Sequence, residues 1–355
     1  MAAKSTRFFS WRSLAFLGLI VGGYQLYQRF EVEIDELGGM SVRARSVAAV
    51  VADEPGASTQ QFVSLYDRAG VADAADGSMR ATPVSSSGAP FGAGGQPGNL
   101  RIATWALGGF GPTQLADETV MSIFTQVVHG FDILALQQVR IGERDFLDRL
   151  VARLNRDGRQ YEYLSTADVI SWPGENSRDQ MVFLYDARRV VADRTQLYQI
   201  ADPDRRLTDR PLVAWFRAAQ ADPQRAWTFS LVNMQVELAA ARNEVLQIPS
   251  LIAAVQGDGR GEDDVILAGL FQADHAYLAG TVGDRKHWIA NRDRATDVDG
   301  RHQTSNLIID RLNTTESLMR GGVTDFLRLH NLSIEHAKRV SPHLPVFAEF
   351  SPWEG

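Results

Sequence analysis

The sequence predicts an α/β (α+β) protein whose globular part is two packed β-sheets with helices outside. Strand-like runs outnumber helical stretches along its second half. Residues 265–268 are continuously apolar, and 131–139 is apolar apart from Asp132, Gln137 and Gln138, the pattern of strands buried on both faces. A hydrophobic content of 45% against 22% charged residues, over 355 residues, describes a globular body with ample core.

The N-terminal stretch has a different character. Lys4, Arg7 and Arg12 precede an apolar run from Leu14 to Tyr27, and Glu31, Glu33, Asp35 and Glu36 follow it. A membrane span needs ~20 apolar residues, a length reached here when Phe8, Phe9 and Trp11 sit in the interface. Residues 1–30 are therefore expected to form a membrane anchor or signal-anchor helix. The positive-inside rule makes the protein single-pass, with its N-terminus cytoplasmic and the globular domain extracytoplasmic. Val21-Gly22-Gly23, followed by bulky Tyr24, is a poor cleavage site. Residues 31–98 are rich in Ala, Gly, Ser and Asp and read as a flexible low-complexity linker. Within it, residues 61–66 carry enough apolar side chains for a short helix or strand.

The domain proper takes residues 99–355. Residues 99–106 alternate and read as the first strand. A helix is expected over 114–128, with Leu115, Val120, Ile123, Phe124 and Val127 at helical spacing and Gly130 to end it. The strand 131–139 and a helix over 143–155 come next. Further strands are expected at 181–185, 212–216, 227–234, 265–268, 307–309, 323–326 and 346–350. Gly321-Gly322 reads as the turn before the strand at 323. A helix over 240–255 is kinked or broken by Pro249.

Charge and composition exclude several functions. A formal net charge of −7 argues against a general nucleic-acid coat, which needs a basic face, and leaves room only for a local basic cleft. With no cysteine, disulfides, thiolate zinc sites and a thiol nucleophile are all excluded.

Several segments resemble the endonuclease/exonuclease/phosphatase superfamily, the DNase I-like fold. Arg101-Ile102-Ala103-Thr104-Trp105 resembles its opening strand. Asp132-Ile133-Leu134-Ala135-Leu136-Gln137 resembles its Asp-Ile-x-x-Leu-Gln-Glu signature. Gly269-Leu270-Phe271-Gln272 stands where the family has Gly-Asp-Phe-Asn, and Ser341-Pro342-His343-Leu344-Pro345-Val346 resembles the closing Ser-Asp-His-x-Pro-Val. The resemblance covers almost all of residues 99–353. It implies a four-layer sandwich of two mixed β-sheets flanked by helices. It also implies hydrolysis of phosphate esters with a divalent metal, a water nucleophile and a His–Asp pair.

Carried over position by position, the family's reacting groups fall on unsuitable residues. The metal-site Asn falls on Ala106 and the metal-binding Glu on Gln138. The first catalytic His falls on Gln235. The Asp and Asn of Gly-Asp-Phe-Asn fall on Leu270 and Gln272. The Asp of Tyr-Asp-x-Ile falls on Asn306 and that of Ser-Asp-His on Pro342; His343 alone keeps its family identity. Magnesium needs hard anionic oxygens, and a general base needs a carboxylate or imidazole. The expectation is accordingly a membrane-tethered, catalytically inactive binding or scaffold module, with no metal or other cofactor. Its partner is an unidentified protein or anionic ligand.

Supporting positions survive. Asp179 matches the acid that orients the first catalytic His, and here it is expected to meet the Gln235 amide. Arg210-Pro211 matches an element near the phosphate, so Arg210 and His343 are candidate anion-binding residues. A salt bridge from Arg210 to Asp209 or Asp179 is the plainer alternative. The alternative function is a phosphodiesterase or phosphatase using Mg²⁺ or Mn²⁺ in a site rebuilt from Asp179, Asp274, His275 or His343. Asp297-Val298-Asp299-Gly300-Arg301-His302 has the look of a metal loop but lacks the later Glu of an EF-hand, and reads as solvated.

Overall fold

The computed structural model describes residues 30–34, 40–44, 98–169, 179–219, 221–283 and 285–355. The expected anchor helix and most of the expected linker lie outside these residues. Strands β1 (Phe30–Ile34) and β2 (Met40–Ala44) pair antiparallel.

Two six-stranded sheets make up the domain. One contains β3 (Leu100–Phe110), β4 (Ile133–Val139), β5 (Tyr161–Ser165), β6 (Gln180–Asp186), β13 (Ser317–Val323) and β14 (Val346–Phe350), in the order β13-β14-β3-β4-β6-β5. The other contains β7 (Val190–Gln199), β8 (Leu212–Ala218), β9 (Thr228–Gln235), β10 (Val265–Leu270), β11 (His287–Ile289) and β12 (Ser305–Asp310), in the order β11-β12-β10-β9-β8-β7. Each sheet has one parallel pair at its centre, β3 with β4 and β9 with β10, and antiparallel pairs elsewhere. Parallel neighbours need a long crossover. Helices α1 (Pro112–Ala116) and α2 (Glu118–Val128) supply it in the first sheet. Helices α4 (Ala241–Val245) and α5 (Ile248–Gln256) supply it in the second. Helix α3 is Phe146–Leu154, α6 His275–Val282, α7 Phe326–Leu329 and α8 Ile334–Val340.

Strand alternation sorts the side chains into layers. In β10, Ile266 and Ala268 join the core between the sheets, while Val265 and Leu267 pack with Val245, Ile248, Ile252 and Val255 of the helices. A run of aromatic contacts fills the inter-sheet core: Phe183 meets Phe216, Phe216 stacks on Phe229, Phe229 on Trp227 and Trp227 on Phe350. On the outer face of the first sheet, Trp105 and Phe110 both stack on Phe124 of α2. The result is the expected order of helices, sheet, sheet, helices.

Three local expectations are corrected. The helix expected over 114–128 is two helices, because the Asp117 carboxylate accepts from Thr119 N and Val120 N and starts α2 afresh. Pro249 opens α5 rather than kinking a longer helix, since its missing N–H costs nothing in a first turn. Gly321 and Gly322 are not a turn but lie inside β13, which ends at Val323, so the strand expected over 323–326 is instead the end of β13 and the start of α7. A Cβ on Gly321 would stand 2.6 Å from Phe347 O, so glycine permits the close approach of β14.

Candidate functional site

The four central strands deliver the site residues at their C-terminal ends. Ala106 is opposite Gln137 in the β3–β4 register, and Leu270 is opposite both Gln235 and Ser305. Ala106 and Leu270 are wholly buried. By alternation with Ile266 and Ala268, Leu270 faces the other sheet. Gly269 has to be glycine, because a Cβ there would lie 2.3 Å from Met234 O on the parallel neighbour.

Beneath these residues, a polar bridge joins the sheets. Gln137 Nε2 donates to Asn233 Oδ1 at 2.7 Å and to Thr104 Oγ1 at 3.0 Å. Asn233 Nδ2 in turn donates to Leu136 O at 3.0 Å and Val182 O at 3.3 Å. All three side chains are fully buried, where unpaired amides would be costly. The next residues along, Gln138 and Gln235, are thereby held face to face.

At Gln138 the β3–β4 and β4–β6 registers both shift, and Gln138 takes φ +58°. A bulge of this kind re-aims a side chain at a strand end. Gln138 N donates to Gln235 Oε1 at 3.0 Å, and Gln138 Oε1 accepts from Gly108 N at 3.1 Å. Gly108 has φ +64°, and a Cβ on it would be 2.5 Å from the Pro342 ring. Pro342 thus sits against the loop that carries Gly108. Gln235 Nε2 donates to Asp209 Oδ2 at 2.9 Å. This corrects the expectation that Asp179 meets the Gln235 amide: Asp179 lies 3.4 Å from Arg140 instead.

Gln272 (φ +54°) leaves β10 with its N–H on Thr304 O at 2.9 Å. The Thr304 hydroxyl is 3.4 Å from His343 Nδ1. Ser341 Oγ fixes the backbone of His343 by accepting from its N–H at 2.9 Å. Burial pushes the His343 imidazole below its ordinary pKa, and Asp297, its bridge partner, opposes that. Asn306 is turned away from this group. Its Oδ1 accepts from Asn291 N at 2.9 Å and its Nδ2 donates to Asn291 O at 2.8 Å.

The remaining candidates are engaged as well. Arg210 Nη2 donates to Gln199 Oε1 at 3.2 Å. Asp274 caps α6 by accepting from Tyr277 N, and in the 297–302 loop Asp297 holds Arg301 N and His302 Nδ1 at 2.7 and 2.9 Å. For Asp297, burial works to raise the pKa, but these hydrogen bonds outweigh it and hold the carboxyl below its usual range. Sequence reasoning missed Thr104, Gln137, Asn233, Asp209 and Thr304. The signal for two of them was present: Gln137 and Asn233 are amides inside otherwise apolar strands.

No family model matches the chain. Among curated proteins, it is 26% identical to bovine deoxyribonuclease-1 over 272 residues, covering 70% of this chain and 91% of that protein. It is 25% identical to mouse deoxyribonuclease-1-like 2 over 272 residues (71% and 91%) and 22% identical to rat deoxyribonuclease gamma over 270 residues (70% and 83%). Among solved structures, an endonuclease/exonuclease/phosphatase family protein from Bacteroides thetaiotaomicron aligns with TM-score 0.48 and 14% identity, covering 71% of this chain and 94% of that one. A mannosyl-6-phosphatase from the same organism aligns with TM-score 0.47 and 12% identity, covering 70% and 98%.

Proposed function

The chain belongs to the DNase I-like endonuclease/exonuclease/phosphatase superfamily, and from that premise we propose that it is a non-hydrolytic member whose cleft serves as a binding or scaffold surface. One observation carries the reading. At position 306, where the family has an Asp, the amide uses a hydrogen-bond donor that a carboxylate lacks: Asn306 Nδ2 donates to Asn291 O at 2.8 Å. A carboxylate at 306 would instead set its charge against a carbonyl oxygen in a fully buried place. The surroundings of Asn306 thus favour a neutral amide over a carboxylate.

The residues present do not fit the divalent cation that the family's chemistry uses. Ala106 and Leu270 offer no donor atom, and the Gln138 and Asn306 carbonyl oxygens already accept backbone N–H groups. A dication takes carboxylate oxygens far more readily than committed amides. His343 lacks an acid at position 342 to orient it, and Pro342 packs on Gly108 instead. What the site offers a partner is the half-buried Gln138, Gln272 and His343 side chains, with Ala106, Leu270 and Asn306 wholly buried beneath them.

Incubation of the purified protein with DNA, RNA and bis(p-nitrophenyl) phosphate in Mg²⁺ or Mn²⁺ tests the reading. No turnover above buffer is expected. Metal-dependent hydrolysis lost in His343→Ala would refute it. The tether is part of the same reading: residues 1–30 would hold the domain at a membrane. Extraction of the full chain from membranes by alkaline carbonate without detergent would sink that part.

A further inference from the structure

The other end of β10 carries a second concentration of charge. Glu262 and Asp264 precede β10, Glu316 precedes β13 and Glu354 lies beyond β14. One carboxylate oxygen from each of Asp264, Glu316 and Glu354 falls within 4.8 Å of the others. Six residues of strand, ~20 Å, separate Asp264 from Leu270 in the cleft.

Asp264 and Glu316 are each 3% exposed. Each has one oxygen in use and one to spare. Asp264 Oδ2 accepts from Trp227 Nε1 at 2.9 Å. Glu316 Oε1 accepts from Gly355 N at 2.6 Å and Thr315 Oγ1 at 3.1 Å. Glu316 Oε2 is buried without a hydrogen-bond partner, and Asp264 Oδ1 has none beyond the neighbouring Thr314 hydroxyl. Orphaned buried oxygens are rare in folded proteins, because each has given up its hydration without a replacement. Among the described residues, no Arg, Lys or His forms an ion pair with Asp264, Glu262, Glu316 or Glu354.

We propose that Asp264, Glu316 and Glu354 bind a divalent cation of the calcium type. All the available donors are hard oxygens, with no nitrogen or sulfur among them, and calcium accepts an irregular cage of protein oxygens where magnesium tends to keep its waters. Like-charge crowding agrees with this placement. Burial first, then Glu316 and Glu262, raise the Asp264 carboxyl to about 7 against the polar contacts of Trp227 and Thr314. Burial first, then neighbouring acids, likewise raise Glu354. The cation would join the start of β10 to the segment after β14. That segment already touches the second sheet through the Ala226–Trp353 bridge and the bond from Trp227 N to Pro352 O at 3.0 Å.

The test uses the full chain, stripped with EDTA and titrated with CaCl₂ at pH 8. Calorimetry should show a saturable rise in Tm of about 5–10 °C at a hundredfold excess over Kd. Asp264→Asn and Glu316→Gln should each abolish the rise. Without calcium, Asp264→Asn should melt no lower than the wild type, because it relieves repulsion; this separates a lost ligand from a damaged fold. Terbium provides a second readout, its emission sensitised through Trp227 and quenched by added calcium. A wild type with neither the Tm shift nor the emission, or variants that respond like the wild type, would overturn the proposal. Neither readout depends on hydrolysis, so the result stands apart from the function proposed for the cleft.

Discussion

Removing the Asn233 side chain should loosen the joint between the two sheets. Asn233→Ala deletes three hydrogen bonds: one from Gln137 Nε2 at 2.7 Å, and two to Leu136 O and Val182 O at 3.0 and 3.3 Å. A buried hydrogen bond contributes about 1 kcal/mol net, and the longest of these contributes less. Gln137 is not orphaned, since it keeps Thr104 Oγ1 and Ala135 O. The expected loss is about 3 kcal/mol, or roughly 6–12 °C in Tm for a domain of this size. Urea denaturation of Asn233→Ala, Gln137→Ala and the double variant measures it. The double variant should lose at least ~0.5 kcal/mol less than the sum of the singles, because the 2.7 Å bond is counted in both. A single-variant loss under ~1 kcal/mol, or strict additivity, would refute the idea that this bridge holds the sheets in register.

Further outcomes follow from the same contacts. Gly269→Ala sets a methyl group against Met234 O at 2.3 Å, so a loss of about 3 kcal/mol or failure to accumulate as folded protein is expected by circular dichroism and expression yield. Asn306→Asp should cost about 2–3 kcal/mol at pH 8 and less at pH 5, where a protonated carboxyl can donate to Asn291 O as the amide does; equal losses at both pH values would contradict this. His287 is buried with its Nδ1–H on Val282 O at 2.7 Å and its Nε2 unpaired, and burial lowers its pKa. Its folded pKa lies below the unfolded value of about 6.5, so the unfolded chain binds more protons in that window. Stability should therefore fall as pH drops below about 6.5, by up to ~1.4 kcal/mol per pH unit, and His287→Gln should flatten the slope.

Much of the framework was legible because its central strands are buried on both faces and therefore read as apolar runs. β4, β9, β10 and β14 all fall where such runs lie. The edges were harder. β7 is the outermost strand of its sheet and mostly polar, as an exposed edge strand should be, so nothing in its pattern marks it. β11 has three residues, too few for any periodicity. The site was legible as positions, since the motifs sit at strand ends. Its hydrogen bonding was not. Asp209 reaches Gln235 across 26 residues of sequence, and Asp179 went to Arg140, choices set by loop paths that no local pattern encodes.

The central proposal is electrostatic: among the described residues, the positions where the family carries its acids hold Gln138, Leu270, Asn306 and Pro342, and a dication is not held beside His343. Crystals grown in millimolar Mn²⁺, with data collected at the manganese absorption edge, locate any such ion by its anomalous signal. The account predicts no anomalous peak among Gln138, Leu270, Asn306 and His343, whatever occupies the far end of β10. A well-occupied peak there, ligated by acidic side chains, would contradict it.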